Sequence, residues 1–456
     1  MSFRGKMSVL AVSAAIAMYA AIGGMLSPWT RAQQPINDAG AQIRIFESVL
    51  QHIQNDYVDE PNLEKVRYGA LRGLVGGLDP YSSYLTADQV KDFNAAKTSN
   101  KVGIGAEFSQ VSLYLYVVSV IKGSNADKAG LKAGDVVEYI ENKATRDISL
   151  YDARQLVMGE PGSVVNLRVL RPGVKPQVIK VTRGTYRVPS AEARVEANKT
   201  GVIKVYSLED GEAADIKTQI QNLTKQGVQK IVLDLRGVAT GTLPEAVAVA
   251  NLFIKEGDIA KVSGSRLVGR RQLFAGEEAG EPLVGHREAI LAAFAADPSK
   301  AVYDGKLAVL IDLGSAGPSE VVASAILERK RGEVVGERSF GSGTEQQLYT
   351  LRGGDGLLLT TAKWASASGT PFLGEERASM GVKPSVEVKR PDTPEPLEVE
   401  ELIDQQDQQN QNPQPGASPS PTPKTEQPKA AQEDLQLKKA IEVLQDKSQA
   451  AKAAGN

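Results

Sequence analysis

The sequence has no cysteine and only two histidines in 456 residues. The lack of cysteine excludes disulfides, thiolate nucleophiles and cysteine-ligated metal sites. A Ser-His-Asp triad would depend on His286, because His52 lies far away in another region. His286 is surrounded by Gly285, Pro282 and acidic residues, which favours a solvated loop over a catalytic centre. We expect neither a cofactor nor a bound metal ion.

The chain also lacks an excess of charge of either sign. Lysine and arginine number 53 and aspartate and glutamate 55, which gives a formal net charge of −2. Without a basic surface field, nucleic acid and anionic membranes are poor partners. The 41% apolar and 24% charged content is typical of a soluble globular protein. The length predicts two or three domains.

A long uncharged run lies near the N-terminus. Arg4 and Lys6 precede residues 7–26, and Pro28 follows them. This pattern predicts export to the periplasm or another extracytoplasmic space. About 20 apolar residues suit both a long cleaved signal and a membrane span. Residues 1–32 are therefore predicted to be a signal peptide or an N-terminal anchor, and any membrane contact is expected only there.

Periodicity divides the following sequence into three folded regions. Residues 37–98 carry apolar side chains at spacings of three and four, which predicts a helical arm. Residues 101–187 contain β-branched and aromatic runs, typical of short strands, with one helical segment between them. Residues 190–390 alternate strand and helix patterns, which predicts an α/β core with helices packed on a sheet.

The composition changes after the α/β region. Residues 391–430 are rich in Gln, Asn, Pro and Ser and cannot bury enough apolar surface to fold, so we predict a disordered linker. Leu435, Ile441 and Leu444 then predict a short amphipathic helix within residues 431–456. A solvent-exposed helix is the favoured interpretation, and a docking or oligomerisation element is the alternative.

Two segments of the β-rich region resemble a PDZ domain. One is the sequence Ala-Gly-Leu-Lys-Ala-Gly-Asp at residues 129–135. The other is a candidate peptide-binding loop made of Gly103, Ile104, Gly105, Ala106, Glu107 and Phe108. The resemblance implies that N–H groups of this loop bind the C-terminal carboxylate of another protein, whose end adds as a strand beside the loop. The alternative is a β-rich spacer that binds no peptide.

The order of helical arm, PDZ module and α/β core resembles the carboxy-terminal processing (tail-specific) serine peptidases. The resemblance covers about residues 40–390 and implies a crotonase-like α/β core. Five segments carry it: Leu-Asp-Pro-Tyr-Ser-Ser-Tyr-Leu at 78–85, the strand ending in Asp-Leu-Arg at 230–236, Gly-Ser-Ala-Gly-Pro-Ser-Glu at 314–320, Phe-Gly-Ser-Gly at 340–343, and Gly-Val-Lys-Pro at 381–384.

Members of that family use a Ser-Lys pair, in which a neutral lysine in a desolvated pocket takes the serine proton. Both segments align with the family here without a gap, and the two positions are 342 − 317 = 25 residues apart. Gly317 stands at the serine position and Ser342 at the lysine position. Glycine supplies no nucleophile, and a serine hydroxyl is no base near neutral pH.

The resemblance also assigns two oxyanion-hole positions, and both differ from the family pattern. Pro318 follows the nucleophile position and has no N–H to donate. Thr240 replaces one glycine of a Gly-Gly loop, beside Gly241. Loss of one such donor lowers a rate on the order of 100-fold. Gln346 is retained where the family places a glutamine that orients the lysine.

These observations favour an exported pseudopeptidase that binds protein C-termini as a scaffold or regulator. The alternative is an active serine endopeptidase that cleaves near C-termini with relocated residues, Ser315 or Ser319 as nucleophile and Lys363 or another amine as the base. Both serines are explained more simply as hydroxyls at the start of a helix. A third hypothesis is a homo-oligomeric spacer assembled through the arm and the C-terminal helix.

Overall fold

The computed structural model describes residues 39–96, 100–111, 113–172, 174–265, 288–376, 379–390 and 433–453. The predicted signal or anchor and the predicted linker lie outside these residues. Among the residues described, no helix is long and apolar enough to cross a membrane. The chain divides into two compact units, one ending at Leu71 and the other beginning at Arg72.

The first unit contains the helical pattern predicted for the arm. Helix α1 spans Ala39–Asp56, and α2 spans Leu63–Gly76 across the end of the unit. The Asn62 side chain accepts a hydrogen bond from the Lys65 N–H (2.9 Å) at the start of α2, as an N-cap residue does. The apolar side chains that predicted α1 are largely exposed, with Ile43 65% accessible.

In the second unit, the end of α2 is followed by the segment Leu-Asp-Pro-Tyr-Ser-Ser-Tyr-Leu at 78–85. Its last residues form a short strand β1 (Ser83–Leu85), and helix α3 (Ala87–Ala95) follows, capped by Thr86 in a capping box with Gln89. These residues were predicted to belong to the helical arm. The strand is buried, and it pairs antiparallel with a strand of the core that is 270 or more residues away (358 − 83 = 275).

The β-rich region forms one antiparallel sheet with two helices. In chain order the elements are β2 (Ala106–Val111), β3 (Tyr114–Val120), α4 (Asn125–Lys128), β4 (Val136–Ile140), β5 (Lys143–Ala144), α5 (Leu150–Val157), β6 (Val164–Arg171) and β7 (Val174–Thr182). The strand order is β2-β3-β4-β6-β7, with β5 beside β4, so β2 is an edge strand. Helix α5 packs its buried residues against the same core as Phe108.

The α/β region is built on a six-stranded sheet. Its elements are β8 (Glu192–Glu196), β9 (Thr200–Lys204), α6 (Glu212–Lys225), β10 (Lys230–Asp234), α7 (Leu243–Asn251), β13 (Lys306–Ile311), α8 (Pro318–Glu328), β14 (Glu333–Gly336) and β17 (Val386–Glu387). The order is β17-β14-β13-β10-β9-β8, parallel except for β8. Helices α6, α7 and α8 each follow a parallel strand along the chain. They bury their apolar faces on one side of the sheet.

A second sheet of the core contains β1 and four further strands: β11 (Asp258–Ser265), β12 (Glu288–Ala295), β15 (Thr344–Thr350) and β16 (Gly356–Ser366). Its strand order is β1-β16-β11-β12, and β15 also pairs with β16. The β1 segment thus becomes part of the core, which the predicted division into a separate arm did not anticipate.

The C-terminal helix α9 (Leu435–Ala453) corrects the favoured expectation of a solvent-exposed helix. Leu437, Ala440 and Leu444 are buried on the sheet face opposite α6, α7 and α8. Strands of a parallel sheet are apolar on both faces, as Val232 and Leu310 are here. The three earlier helices cover one face, so α9 is needed to remove the other from water.

Candidate functional site

Three loops that carry the family-like segments meet at one edge of the parallel sheet. They follow β10, β13 and β14, at residues 236–241, 312–317 and 337–343. The carboxyl ends of parallel strands lie side by side at one edge, which is where α/β proteins place their sites. The loops are tied together by backbone bonds: the Ala316 N–H donates to the Val238 carbonyl (3.0 Å), and the Phe340 N–H to the Ser315 carbonyl (2.9 Å).

Positions 317 and 342 are neighbours at this edge. Gly317 stands just before α8 with φ +53° and ψ −104°, a conformation that favours glycine. A Cβ atom built on Gly317 would lie 3.5 Å from Ser342 Oγ and 3.7 Å from Trp364 Cζ3, which are ordinary contact distances. The fold therefore leaves room for a side chain at position 317 that would face residue 342.

Glu320 holds the two loops in place. Its fully buried carboxylate accepts hydrogen bonds from the N–H groups of Gly317 (2.7 Å), Gly341 (2.7 Å) and Ser342 (2.9 Å), and from the Ser339 hydroxyl. Burial raises the pKa of Glu320 to about 7, although these hydrogen bonds favour the charged form. One carboxylate thus positions both the 314–320 segment and the 340–343 segment.

The assigned oxyanion positions lie beside the same loops. Pro318 is the first residue of α8, where its missing N–H costs no helical bond. The Thr240 carbonyl accepts from the Leu208 N–H (2.8 Å). A Cβ on Gly241 would lie 2.2 Å from the Leu208 carbonyl oxygen, so this close approach of two chain segments requires glycine.

Ser315 and Ser319, the alternative nucleophiles considered in the sequence analysis, donate hydrogen bonds to main-chain carbonyls. Ser315 Oγ donates to the Leu235 carbonyl (3.0 Å), and Ser319 Oγ donates to the Val238 carbonyl (2.7 Å). Both side chains are fully buried. Each hydroxyl proton is engaged by a main-chain acceptor, so neither serine is presented to a substrate or a base.

Lys363 points away from the site. On β16 it is next to Trp364, whose ring faces Gly317. Because successive side chains of a strand point to opposite faces, Lys363 lies on the other face, where its Nζ donates to the Leu373 carbonyl (3.3 Å). The structure does not bring this amine together with Ser315 or Ser319.

Gln346 connects to the segment at 78–85 rather than to position 342. Its Nε2 donates to Thr344 Oγ1 (2.7 Å) and Thr360 Oγ1 (3.3 Å). Thr360 in turn donates to Asp79 Oδ1 (3.0 Å), and its N–H donates to Ser82 Oγ (3.0 Å). Sequence reasoning did not find this link, because it depends on the pairing of β1 with β16.

The candidate peptide-binding loop precedes the edge strand β2. The carbonyls of Gly103, Ile104 and Gly105 accept bonds from the N–H groups of other segments. In the part of the chain described, the N–H groups of the same three residues donate to no protein acceptor. Gly105 has φ +85°, and a Cβ there would lie 2.2 Å from Ser124 Cβ. This loop therefore turns its donors outward, as a carboxylate site requires.

The rest of the predicted peptide-binding segment lines the groove between β2 and α5. Ala106 begins β2, and Phe108 is buried in the core beneath the groove. The Glu107 carboxylate lies 3.4 Å from the Arg154 guanidinium of α5. Burial raises the pKa of Glu107, while Arg154 lowers it. Sequence reasoning missed Arg154, because nothing local to α5 marks it as a groove residue.

The outer face of the β-rich sheet covers the three loops of the core. Tyr116 stacks on Phe340 with ring centroids 5.7 Å apart and planes at 22°. Around this pair a buried apolar cluster joins Val118, Val136 and Leu170 of the sheet to Ala316 of the core. The loop that carries position 317 therefore packs directly against the β-rich domain.

Among the residues described, no group of three or more acidic or histidine side chains could hold a metal ion.

Comparison with known proteins agrees with this architecture. Residues 199–388 match peptidase family S41, and residues 116–171 match the PDZ domain. The chain is 32% identical over 356 residues to a probable CtpA-like serine protease of Staphylococcus haemolyticus, covering 78% of this chain and 66% of that one. It is 30% identical over 349 residues to the carboxy-terminal processing protease CtpA of Bacillus subtilis, covering 76% and 69%.

A solved structure shares the fold. The photosystem II D1 C-terminal processing protease superposes with a TM-score of 0.59 at 24% identity, covering 75% of this chain and 86% of that chain. At this level of identity the likeness concerns the fold. The matched region of the chain spans about two thirds of the length of the curated relatives named above.

Proposed function

We propose a binding function for this chain, which belongs to the carboxy-terminal processing proteases of peptidase family S41. In this proposal it is an exported protein that captures C-terminal segments of other proteins in its PDZ groove and acts as a scaffold or regulator without peptidase activity. The observation that carries it is the contrast between a loop at 103–105 whose N–H groups donate to no protein acceptor in the described chain and the residues at 317 and 342, which are a glycine and a serine instead of a serine and a lysine.

The chemistry of the site supports this reading. Acyl transfer by a Ser-Lys pair needs a hydroxyl that attacks the carbonyl and an amine that accepts its proton. Gly317 offers no side-chain hydroxyl, and the Ser342 hydroxyl is not a base near neutral pH. Pro318 removes an N–H that would stabilise the oxyanion. Residual proteolysis would need a different nucleophile, and the buried hydroxyls of Ser315 and Ser319 already donate to carbonyls.

A restoration experiment tests the proposal. The chain from about Gln33 onward is incubated with an unstructured protein that ends in apolar residues, beside the variant Gly317→Ser, Pro318→Ala, Ser342→Lys. We expect cleavage by the restored variant alone, because the loops held by Glu320 keep the frame. Cleavage by the natural chain that is lost in Ser319→Ala or Ser315→Ala would instead establish an active peptidase.

Binding is measured in parallel with a fluorescent peptide that ends in a free carboxylate. The matched control is the same peptide with an amidated C-terminus, which lacks the charge that the loop N–H groups would bind. We expect the free acid to bind and the amide to bind at least tenfold more weakly. Equal binding of the two peptides would contradict capture of C-termini.

A further inference from the structure

Arg154 lies across the groove that the proposed ligand would enter. Its Nη2 donates to the Phe108 carbonyl at 2.9 Å, from α5 to the edge strand β2. The Gly105 carbonyl accepts a hydrogen bond from the N–H of Ile121, which follows β3. The backbone N–H and C=O groups of Gly105 and Glu107 therefore point toward β3. Alternation then turns the backbone groups of Ala106 and Phe108 to the open edge. The acceptor that Arg154 occupies is therefore one that an added strand would use.

The register of such a strand follows from the loop. A ligand whose carboxylate lies at the N–H groups of 103–105 extends along β2 away from the loop, and hence antiparallel to β2. With its last residue beside Ala106, its third residue from the end lies beside Phe108. Cross-strand neighbours share a face, and Phe108 faces the core that α5 covers. That third side chain therefore points toward α5 and Arg154.

We propose that Arg154 selects ligands that carry an aspartate or glutamate third from the C-terminus. This inference rests on the proposed function. Ligand pairing takes the Phe108 carbonyl away from Arg154, and a half-buried guanidinium then needs another acceptor. In the described part of the chain only Nη2 of Arg154 donates a hydrogen bond, so its other N–H groups can meet a carboxylate side by side.

Glu107 competes with a ligand carboxylate for the Arg154 guanidinium. It lies 3.4 Å from Arg154, with both side chains about 40% exposed (43% and 39%), so the present pair is weak. Desolvation raises the pKa of the Glu107 carboxyl above its ordinary value, although Arg154 and the Phe108 N–H lower it. A ligand carboxylate therefore competes with a neighbour that is held poorly. Removing the charge of Glu107 should strengthen the preference for acidic ligands.

The test uses the full chain and free-acid peptides that are identical except at the third residue from the end, where Glu, Gln, Ala or Lys stands. Further peptides carry the Glu at the second or fourth position. We expect Glu at the third position to bind about fivefold tighter than Ala, and Lys to bind more weakly than Ala. The other positions should show no such gain. This positional scan needs no variant.

Variants then assign the effect to Arg154. In Arg154→Ala the Glu preference should vanish, and neutral peptides should bind more tightly because the Phe108 carbonyl is free. Arg154→Glu should reverse the preference toward Lys, and Glu107→Gln should enlarge the preference for Glu. The matched control is Arg168→Ala, an arginine of β6 that pairs with Glu138 (3.1 Å) and stacks over Tyr139, which should leave the preference unchanged.

The outcomes separate the two proposals. Equal affinities for the four peptides in the natural chain overturn the role of Arg154 and leave capture of C-termini standing. A Glu preference that persists in Arg154→Ala overturns it as well, since another residue then reads the ligand. Failure of every free-acid peptide to bind, or equal binding of the amidated form, overturns the proposed function itself.

Discussion

Gly105 and Gly317 both have a positive φ, but they serve the two sites in opposite ways. At Gly105 a Cβ would lie 2.2 Å from Ser124 Cβ, so the loop can form only without a side chain. At Gly317 the nearest atoms to a Cβ are 3.5 and 3.7 Å away, so space for a side chain exists. Glycine is required by the close packing at position 105, whereas at position 317 the surrounding atoms leave space for a side chain.

This contrast separates the architecture of a site from its chemistry. The peptide groove depends on backbone groups, which any sequence that folds this loop supplies. The core site depends on two side chains, and a fold can keep their positions while the sequence changes them. Glu320 explains how the positions persist, because its carboxylate bonds to backbone N–H groups of both segments whatever their side chains are.

The largest expected effect comes from filling the space at Gly105. Gly105→Ala combines a steric clash with a strained φ, and we expect the free energy of unfolding to fall by about 4 kcal/mol with loss of peptide binding. Gly103→Ala is the control, because nothing lies within 4 Å of its added Cβ. Urea denaturation and peptide titration measure both. Equal losses of stability and of peptide binding in the two variants would contradict the requirement for glycine at position 105.

Glu320→Gln tests whether one carboxylate holds the core site. The amide keeps the size but loses acceptor capacity, so buried N–H groups are left without partners, and we expect a loss of about 3 kcal/mol in the free energy of unfolding. Glu328→Gln on the same helix is the control, because its carboxylate binds the exposed Ser368. A loss below about 1 kcal/mol in Glu320→Gln would contradict the role.

The pH dependence of stability gives a second view of Glu320. Its pKa is raised from 4.5 to about 7 in the folded state, so the folded form binds the proton more tightly than the unfolded form. This stabilisation is complete below pH 4.5 and is lost as the pH rises through 7. We expect about 2 kcal/mol less stability at pH 8 than at pH 5.5, with the difference reduced by that amount in Glu320→Gln. An unchanged pH profile in Glu320→Gln would contradict a contribution of Glu320 to the pH dependence of stability.

The smallest effect is expected at Gly317. Gly317→Ala meets strain from φ +53° but no clash, so we expect a loss of about 1 kcal/mol. Gly211→Ala is the matched control, since Gly211 also has a positive φ and nothing within 4 Å of an added Cβ. Losses that agree within about 0.5 kcal/mol would show that the core site accepts a side chain. A much larger loss at Gly317 would mean that the space is not usable.

Several features of the sites could be read from the sequence, because short segments resemble those of known families. The resemblance to Ser-Lys peptidases implied that positions 317 and 342 are neighbours, and the structure places them side by side. The Gly-Ile-Gly segment predicted a loop whose donors face outward. The predicted family and the α/β fold class with a PDZ domain are confirmed by the comparisons.

Other features depend on contacts between distant segments and could not be read in this way. Arg154 belongs to the groove only because α5 packs beside β2. Lys363 was considered as an amine for catalysis, but the face it occupies is set by the pairing of β16 with β11. The burial of α9 depends on an apolar sheet face that the preceding helices do not cover.

The sequence alone determined which atoms are present: glycine, proline and serine at the positions that the family resemblance assigns to a nucleophile, an oxyanion donor and a base, and glycines at 103 and 105 in the segment that resembles a PDZ carboxylate loop. The tertiary structure decided which of these groups meet, which are buried and which face solvent. The physical reason is that side-chain chemistry belongs to single residues. Proximity and burial arise from packing strands and helices that lie tens to hundreds of residues apart, as β1 and β16 do.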